Sequence, residues 1–290
     1  MTAGPGDLLI GNAPCSWGVA YPTGNGVTWS QYLDEVAAAG YRATELGPLG
    51  FLPRDPEVLV RELDRRGLTV VGATHVHTFG DTRTAPDLMS TLREFGPLLS
   101  RLGARHLVVM DESNWYPEGQ EGVLDAEGWG GLVRTVREAQ ALIEEDLGLK
   151  ASFHPHIGTA VEREAQIDRL LGETSIDLCF DTGHHAAWGQ DPLAYMRKVR
   201  DRIVYVHLKN VDAAVRRRLL SGEITVAGSY GAGLMAPLPD GAVDIAAVVR
   251  FLRETGFDGP VVVEQDLSDD APESPGALAA RNLSYLERLA

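Results

Sequence analysis

The stretches Ile176-Asp177-Leu178-Cys179-Phe180-Asp181-Thr182-Gly183 and Ile203-Val204-Tyr205-Val206-His207-Leu208-Lys209-Asn210 share one pattern. Each is a short run of β-branched, aromatic and other apolar residues that closes on ionisable side chains. Apolar runs of this length read as strands covered on both faces, the kind that parallel sheets contain. An acid, imidazole or amine at the end of such a strand is costly to bury alone, so it requires a partner.

Outward from these two runs the same cadence recurs. Strands are predicted at Leu8 to Pro14, Ala43 to Pro48, Leu68 to His77, Arg105 to Asp111, Lys150 to His156, Ile176 to Gly183, Ile203 to Asn210 and Pro260 to Asp266. Amphipathic stretches separate them, as in Trp29 to Ala39 and Pro86 to Leu102, where apolar residues recur at three and four spacing. Gly40, Gly67, Gly103, Gly148 and Gly256 each follow a helical stretch, where a residue free to take positive φ ends the helix. Asp191-Pro192 has the form of an N-cap followed by a first-turn proline.

Alternation of this kind requires parallel strands joined by crossover helices. Eight units fit either a closed barrel or an open doubly wound sheet, and the polar strand ends select the barrel. Glu45, His75 and His77, Asp111, His154 and His156, Asp181, His207 and Lys209, then Glu264 and Asp266 converge on one mouth if the sheet closes. An open sheet would spread them along an edge, and no GxGxxG follows the first strand to support nucleotide binding there. The expected fold is therefore α/β, a single-domain (β/α)8 TIM barrel over residues 1–290, with a long Gly- and Pro-bearing excursion at 214–243 after the seventh strand. Such a segment would close over a substrate or cross into a neighbouring subunit, which would make the chain a homo-oligomer.

Bulk properties narrow the partners. A chain of 290 residues suits a barrel, for which about 250 is typical. A net charge of -15 repels polyphosphate, so no nucleic acid is expected, and the apolar runs are too short for a bilayer, so no membrane. Met1 to Asp7 lacks the basic and apolar regions of a secretory signal, which leaves the cytoplasm as the expected compartment. Cys15 and Cys179 are expected as free thiols.

Six of the eight histidines sit at or just beyond a predicted strand end: His75, His77, His154, His156, His184 and His207. Residues two apart on a strand face the same way, so His75 and His77 share one side, as do His154 and His156. Imidazoles crowded against carboxylates call for a divalent cation, and mixed nitrogen and oxygen ligands suit Mn, Co, Zn or Fe better than Ca or Mg. The expected ligands are His154, Asp181, His207 and Glu264, each closing a different strand.

Asp181-Thr182-Gly183-His184, His207-Leu208-Lys209 and Val263-Glu264-Gln265-Asp266 resemble the signatures of the xylose-isomerase-like barrel superfamily, which includes sugar epimerases, inosose dehydratases and abasic-site endonucleases. The resemblance implies one metal ion held at the ends of strands five to eight, usually by Glu, Asp, His and Glu. Here His154 occupies the strand-five position, where the sugar epimerases carry a glutamate that is also an acid/base. His154-Pro155-His156-Ile157-Gly158-Thr159, Asn12-Ala13-Pro14-Cys15-Ser16-Trp17-Gly18-Val19 and Glu45-Leu46-Gly47-Pro48 resemble the inosose dehydratases most closely. That implies dehydration of a keto-inositol in inositol catabolism, with cobalt or manganese as the usual metal.

The chemistry can be reasoned independently. A Lewis-acidic ion polarises a bound ketone, acidifies the adjacent C–H and holds the resulting enediolate. Dehydration also needs an acid for the departing β-hydroxyl. The expected roles are proton removal by Glu264 or His156, assistance to the leaving hydroxide by Glu45, His77 or His184, and a steadying ammonium from Lys209. Asn12, Trp17, His75 and Asp111 are expected to contact the substrate, a small polyhydroxy ketone, with Trp17 stacking on it; Cys15 is assigned no catalytic role. The competing functions are a sugar isomerase or epimerase, such as a ketose epimerase or hydroxypyruvate isomerase, an abasic-site endonuclease, and a non-catalytic sugar-binding barrel.

Overall fold

The computed structural model describes residues 8–116, 123–268 and 271–289. The strands are β1 (Leu9–Asn12), β2 (Ala43–Glu45), β3 (Thr69–His77), β4 (His106–Asp111), β5 (Lys150–His154), β6 (Asp177–Asp181), β7 (Ile203–Leu208), β8 (Asn210–Val211), β9 (Met235–Ala236) and β10 (Pro260–Val263). All except β8 and β9 form one closed parallel barrel in the order β1-β10-β7-β6-β5-β4-β3-β2. Every expected strand is present, and the polar residues beyond β5, β6, β7 and β10 lie where the chain leaves the sheet at its mouth.

Helices cover the outside. Gly40, Gly67, Gly103, Gly148 and Gly256 take φ between 65° and 102°, as the helix-ending role requires. Asp191 caps helix Pro192–Lys198 by accepting from the amides of Leu193 and Ala194. The barrel interior below the mouth is lined by Ala13, Ala43, Val71, Val108, Cys179, Tyr205 and Val262. Gly72 on β3 leaves room for the Tyr205 ring, whose hydroxyl reaches Glu45 at the end of β2. No helix among the described residues is long and apolar enough to cross a membrane.

One irregularity decides which side chains reach the mouth. Thr44 pairs with Val70 but Glu45 pairs with Gly72, so Val71 is an extra residue in β3. Val71 belongs to the interior cluster, yet a Cβ on Gly72 would also point inward, 3.2 Å from Tyr205. This bulge advances the alternation by one residue and turns the rest of the strand over. His75 and His77 do share a side, but it is the helix-facing one. His75 packs against Phe95 of helix Ala85–Leu102 with ring centroids 5.6 Å apart, and His77 bonds to the Thr84 carbonyl at 3.0 Å.

The excursion differs from an irregular loop. It begins at Asn210, where β8 pairs antiparallel with β9, and carries helices Ala213–Leu220 and Val226–Gly231. Its Val211, Leu219, Leu234 and Met235 pack with Ile157, Ala186 and Ala187 of the same chain, over the β5 and β6 side of the mouth.

Three histidines away from the mouth set a pH dependence. Burial pushes His75, His106 and His185 each down to about 4. Unfolded, each titrates near 6.5, so between those values the unfolded chain binds more protons and stability falls as pH drops. The expected loss is up to about 1.4 kcal/mol per pH unit for each ring. Urea unfolding near neutrality and near pH 5, with chelator in both, measures it; equal midpoints would contradict this assignment.

Candidate metal centre

β6 and β7 deliver the first two ligand candidates side by side, since Asp181 and His207 are register partners. Asp181 Oδ1 accepts from the amides of Gly183 and His184 at 2.7 and 2.8 Å, capping helix Thr182–Ala187 and fixing the carboxylate. Its other oxygen, Oδ2, is buried with no hydrogen-bond partner. His207 bonds through Nε2 to Glu45 Oε1 at 2.8 Å, which leaves Nδ1 as its free nitrogen, buried and unpartnered. The His154 ring bonds to the Cys179 backbone carbonyl, and its Nδ1 is likewise buried without a partner. From His207 Nδ1 it is 3.4 Å to Glu264 Oε2 and 3.9 Å to Asp181 Oδ2. One ligand atom from each of His154, Asp181, His207 and Glu264 lies within 4.8 Å of all the others.

Three orphaned acceptors aimed at one point, beside a carboxylate, is the arrangement a cation satisfies. Unpaired buried polar atoms otherwise cost about 1–3 kcal/mol each. Two imidazole nitrogens and two carboxylates suit a first-row divalent ion, bound at about 2.0–2.2 Å. The electrostatics agree. Burial pushes Asp181 up to about 6, Lys209 and His207 only partly offsetting it. Burial would discharge His207 and Lys209, but surrounding acidic groups overcome it and hold both well above their ordinary values. The mouth therefore favours positive charge.

Residues 33–289 match the xylose isomerase-like TIM barrel family. The chain belongs to that family. Among curated relatives of this xylose isomerase-like barrel, the inosose dehydratase of Geobacillus kaustophilus is 30% identical over 97% of this chain and 94% of its own. The rhizopine catabolism protein MocC of Rhizobium meliloti is 33% identical over 88% and 81% respectively. Two solved structures share the fold at 14% identity. The IOLI protein with a bound zinc atom has a TM-score of 0.74, covering 97% of this chain and 98% of its own. The probable 3-DHS dehydratase AsbF of Bacillus anthracis has a TM-score of 0.73, covering 97% and 99%.

Around the ligand candidates of this barrel stands a layer of supporting groups. Glu45 is one of them: its Oε1 accepts from Tyr205 and His207, and its Oε2 from Thr74 Oγ1 at 2.9 Å. Such a carboxylate fixes the imidazole tautomer from behind. Both of its oxygens are already engaged by Tyr205, His207 and Thr74, which departs from its expected part in hydroxide departure. Glu45→Gln is expected to weaken divalent-metal affinity about 10- to 100-fold with the fold retained. Equilibrium dialysis measures this, and unchanged affinity would contradict it.

Lys209 Nζ is buried among Glu264 Oε2 at 2.8 Å, Asp266 Oδ2 at 2.9 Å and His184 Nε2 at 2.9 Å. Gly183 permits the approach, since a Cβ there would come within 2.4 Å of Lys209 Cβ. His184 accepts through Nε2, so Nδ1 carries its proton and has no partner. His156 donates from Nδ1 to the Ile157 carbonyl at 2.8 Å, which leaves Nε2 as a lone pair facing the mouth.

Five expected residues lie elsewhere. The bulge takes His75 and His77 away from the ligand candidates. Asp111, paired in register with His77, faces outward too and ties three loops together, accepting from Phe79 N, Ala160 N and Tyr116 Oη. Asn12 alternates with the inward Gly11 and Ala13, and its Oδ1 accepts from Ala13 N at 2.8 Å. Trp17 turns to helix Trp29–Ala38, donating to Glu35 at 2.7 Å and packing edge-on to Tyr32. Its indole is thus a packing group, because the short helix Pro14–Trp17 points it outward.

Two residues without an expected role do reach the mouth. The Cys15 thiol bonds to Glu264, and burial pushes its pKa well up, so it remains a thiol. Tyr230, from the excursion, sets its hydroxyl 3.5 Å from His156 Nε2.

Proposed function

We propose that this chain is a metal-dependent carbon-oxygen lyase that dehydrates a keto-inositol. The observation that carries the reading is the β5 end, where His154 and His156 stand side by side with opposite roles. His154 keeps one nitrogen on the Cys179 carbonyl and turns the other to the ligand cluster, so it has no site left for shuttling protons. A ketose epimerase requires a second acid/base on the far face, and a histidine so committed does not provide one. His156 has the free lone pair, and a ketone dehydratase needs one base for its α-proton. The relatives named inosose dehydratase, aligned over nearly the whole chain, support the same class.

His154, Asp181, His207 and Glu264 would hold the ion, proposed as manganese, cobalt or zinc. Bound there, it supplies Lewis acidity to a substrate carbonyl. The protein's own groups do the rest. His156 Nε2 removes the α-proton, and the Ile157 carbonyl keeps the ring in the required tautomer. Lys209, held protonated by its acidic neighbours, steadies negative charge that develops on substrate oxygen. His184 Nδ1–H, buried without a hydrogen-bond partner, is a further donor on the ring that Lys209 bonds to. The excursion packs over this side and limits access of water.

A screen of the purified, metal-loaded protein against inososes and common ketoses tests this. Inososes are expected to give an enolic or conjugated diketone with ultraviolet absorbance, together with α-proton exchange. Interconversion of ketoses with no absorbing product from any inosose would overturn the proposal.

A further inference from the structure

Tyr230 reaches the mouth from outside the barrel. It sits on helix Val226–Gly231, whose start is capped by Thr225 accepting from Gly228 N, and whose end is closed by Gly233 N bonding to the Tyr230 carbonyl. Its ring packs against the cluster containing Ile157, Leu219 and Met235, so the side chain is braced from the excursion and from the β5 loop. Its hydroxyl approaches His156 Nε2 at 3.5 Å, the outer limit of a hydrogen bond. It also lies within the field of Asp266, Lys209, Asp181 and Glu264. Catalytic contacts are often long before substrate arrives and tighten afterwards.

We propose that Tyr230 is the proton donor to the departing hydroxyl of the dehydration, an assignment that rests on the function proposed above. His156 Nε2 takes the α-proton, and the electron pair of the broken C–H bond is stored in the enolate. That pair then forms the new carbon-carbon double bond as the β C–O bond breaks, its electrons leaving with the oxygen. The Tyr230 O–H proton passes to that oxygen and water departs. The phenolate recovers a proton from the adjacent His156 Nε2–H, so both residues return to their starting states. One water is lost, and nothing is oxidised or reduced.

Burial, and then the nearby Asp266 charge, hold the phenol well above its ordinary pKa, so it keeps its proton until a strongly basic oxygen is offered. A leaving hydroxide is such an oxygen. Strand periodicity does not single out this tyrosine, because it arrives on a helix whose path over the mouth is set by tertiary packing.

Tyr230→Phe keeps the packing ring and removes only the hydroxyl. Elimination of the inosose is expected to fall about 100-fold or more, while α-deuterium exchange stays within a few-fold of wild type. KM, bound metal and thermal midpoint should change little. A residue that merely braces the lid would lower exchange and elimination together, and that result overturns the assignment, as does unimpaired elimination. Wild-type protein that neither exchanges nor eliminates with any inosose overturns the proposed function and this step with it. Wild-type elimination with an unimpaired Tyr230→Phe overturns the step alone.

Discussion

Asp181→Asn is expected to weaken divalent-metal binding by about 100-fold or more and to lower kcat/KM by at least about 1,000-fold, with the fold intact. Asp181 uses its two oxygens differently, and the substitution separates them. Oδ1 caps helix Thr182–Ala187, and an asparagine oxygen caps as well as an aspartate one. Oδ2 is the buried acceptor without a partner, and an amide nitrogen there presents hydrogens where a cation requires a lone pair. The thermal midpoint measured in chelator should stay within a few degrees of wild type, whereas equilibrium dialysis should show the loss of affinity. Retained binding and activity would contradict the ligand assignment; a large fall in metal-free stability would make Asp181 chiefly a cap.

His156→Gln is the second substitution with a large expected effect. It should lower α-proton exchange and elimination together, by about 100- to 10,000-fold, because both begin with the proton that His156 removes. Metal content should be unchanged, since His156 Nε2 is turned to Tyr230 and its Nδ1 to the Ile157 carbonyl. The contrast with Tyr230→Phe, which should spare exchange, separates base from acid. Exchange at the wild-type rate in His156→Gln would transfer the base role to another group, with Glu264 as the alternative base expected from sequence.

How legible these features are in the sequence depends on the range of the interaction that sets them. The barrel is legible because each strand is a local run and each helix end carries a local glycine signal. Asp181, His207 and Glu264 are legible as mouth residues because the one register shift between β6 and β7, at Val204, lies before Cys179 and Tyr205, and the pairing is regular from there to the strand ends. His75 and His77 are misjudged because one unpaired residue, Val71, inverts the alternation, and the bulge exists only in the pairing of β3 with β2. Asp111 follows them, being their register partner on β4. Asn12 and Trp17 share a motif with Ala13 and Cys15, but sequence adjacency does not separate inward from outward positions. Glu45 is placed correctly at the mouth, and its role is misjudged, because the partners that define it, Tyr205 and His207, come from 160 and 162 residues away in the chain. Tyr230 carries no local signal of its direction, since the hairpin of β8 with β9 and the apolar packing on Ile157 carry it over the mouth.

The excursion at 214–243 is expected from sequence either as a cover or as a bridge to another subunit. In the structure its apolar residues pack on their own chain, over the β5 and β6 side of the mouth. It thereby contributes Tyr230 to the mouth and shields His156.

Anomalous scattering from a crystal soaked in manganese is the most direct measurement. The expected result is one strong peak per chain at the barrel mouth, within about 2.0–2.3 Å of His154 Nδ1, Asp181 Oδ2, His207 Nδ1 and a Glu264 oxygen. A mouth without a peak, or an ion held elsewhere with these four side chains turned to other partners, would contradict the account.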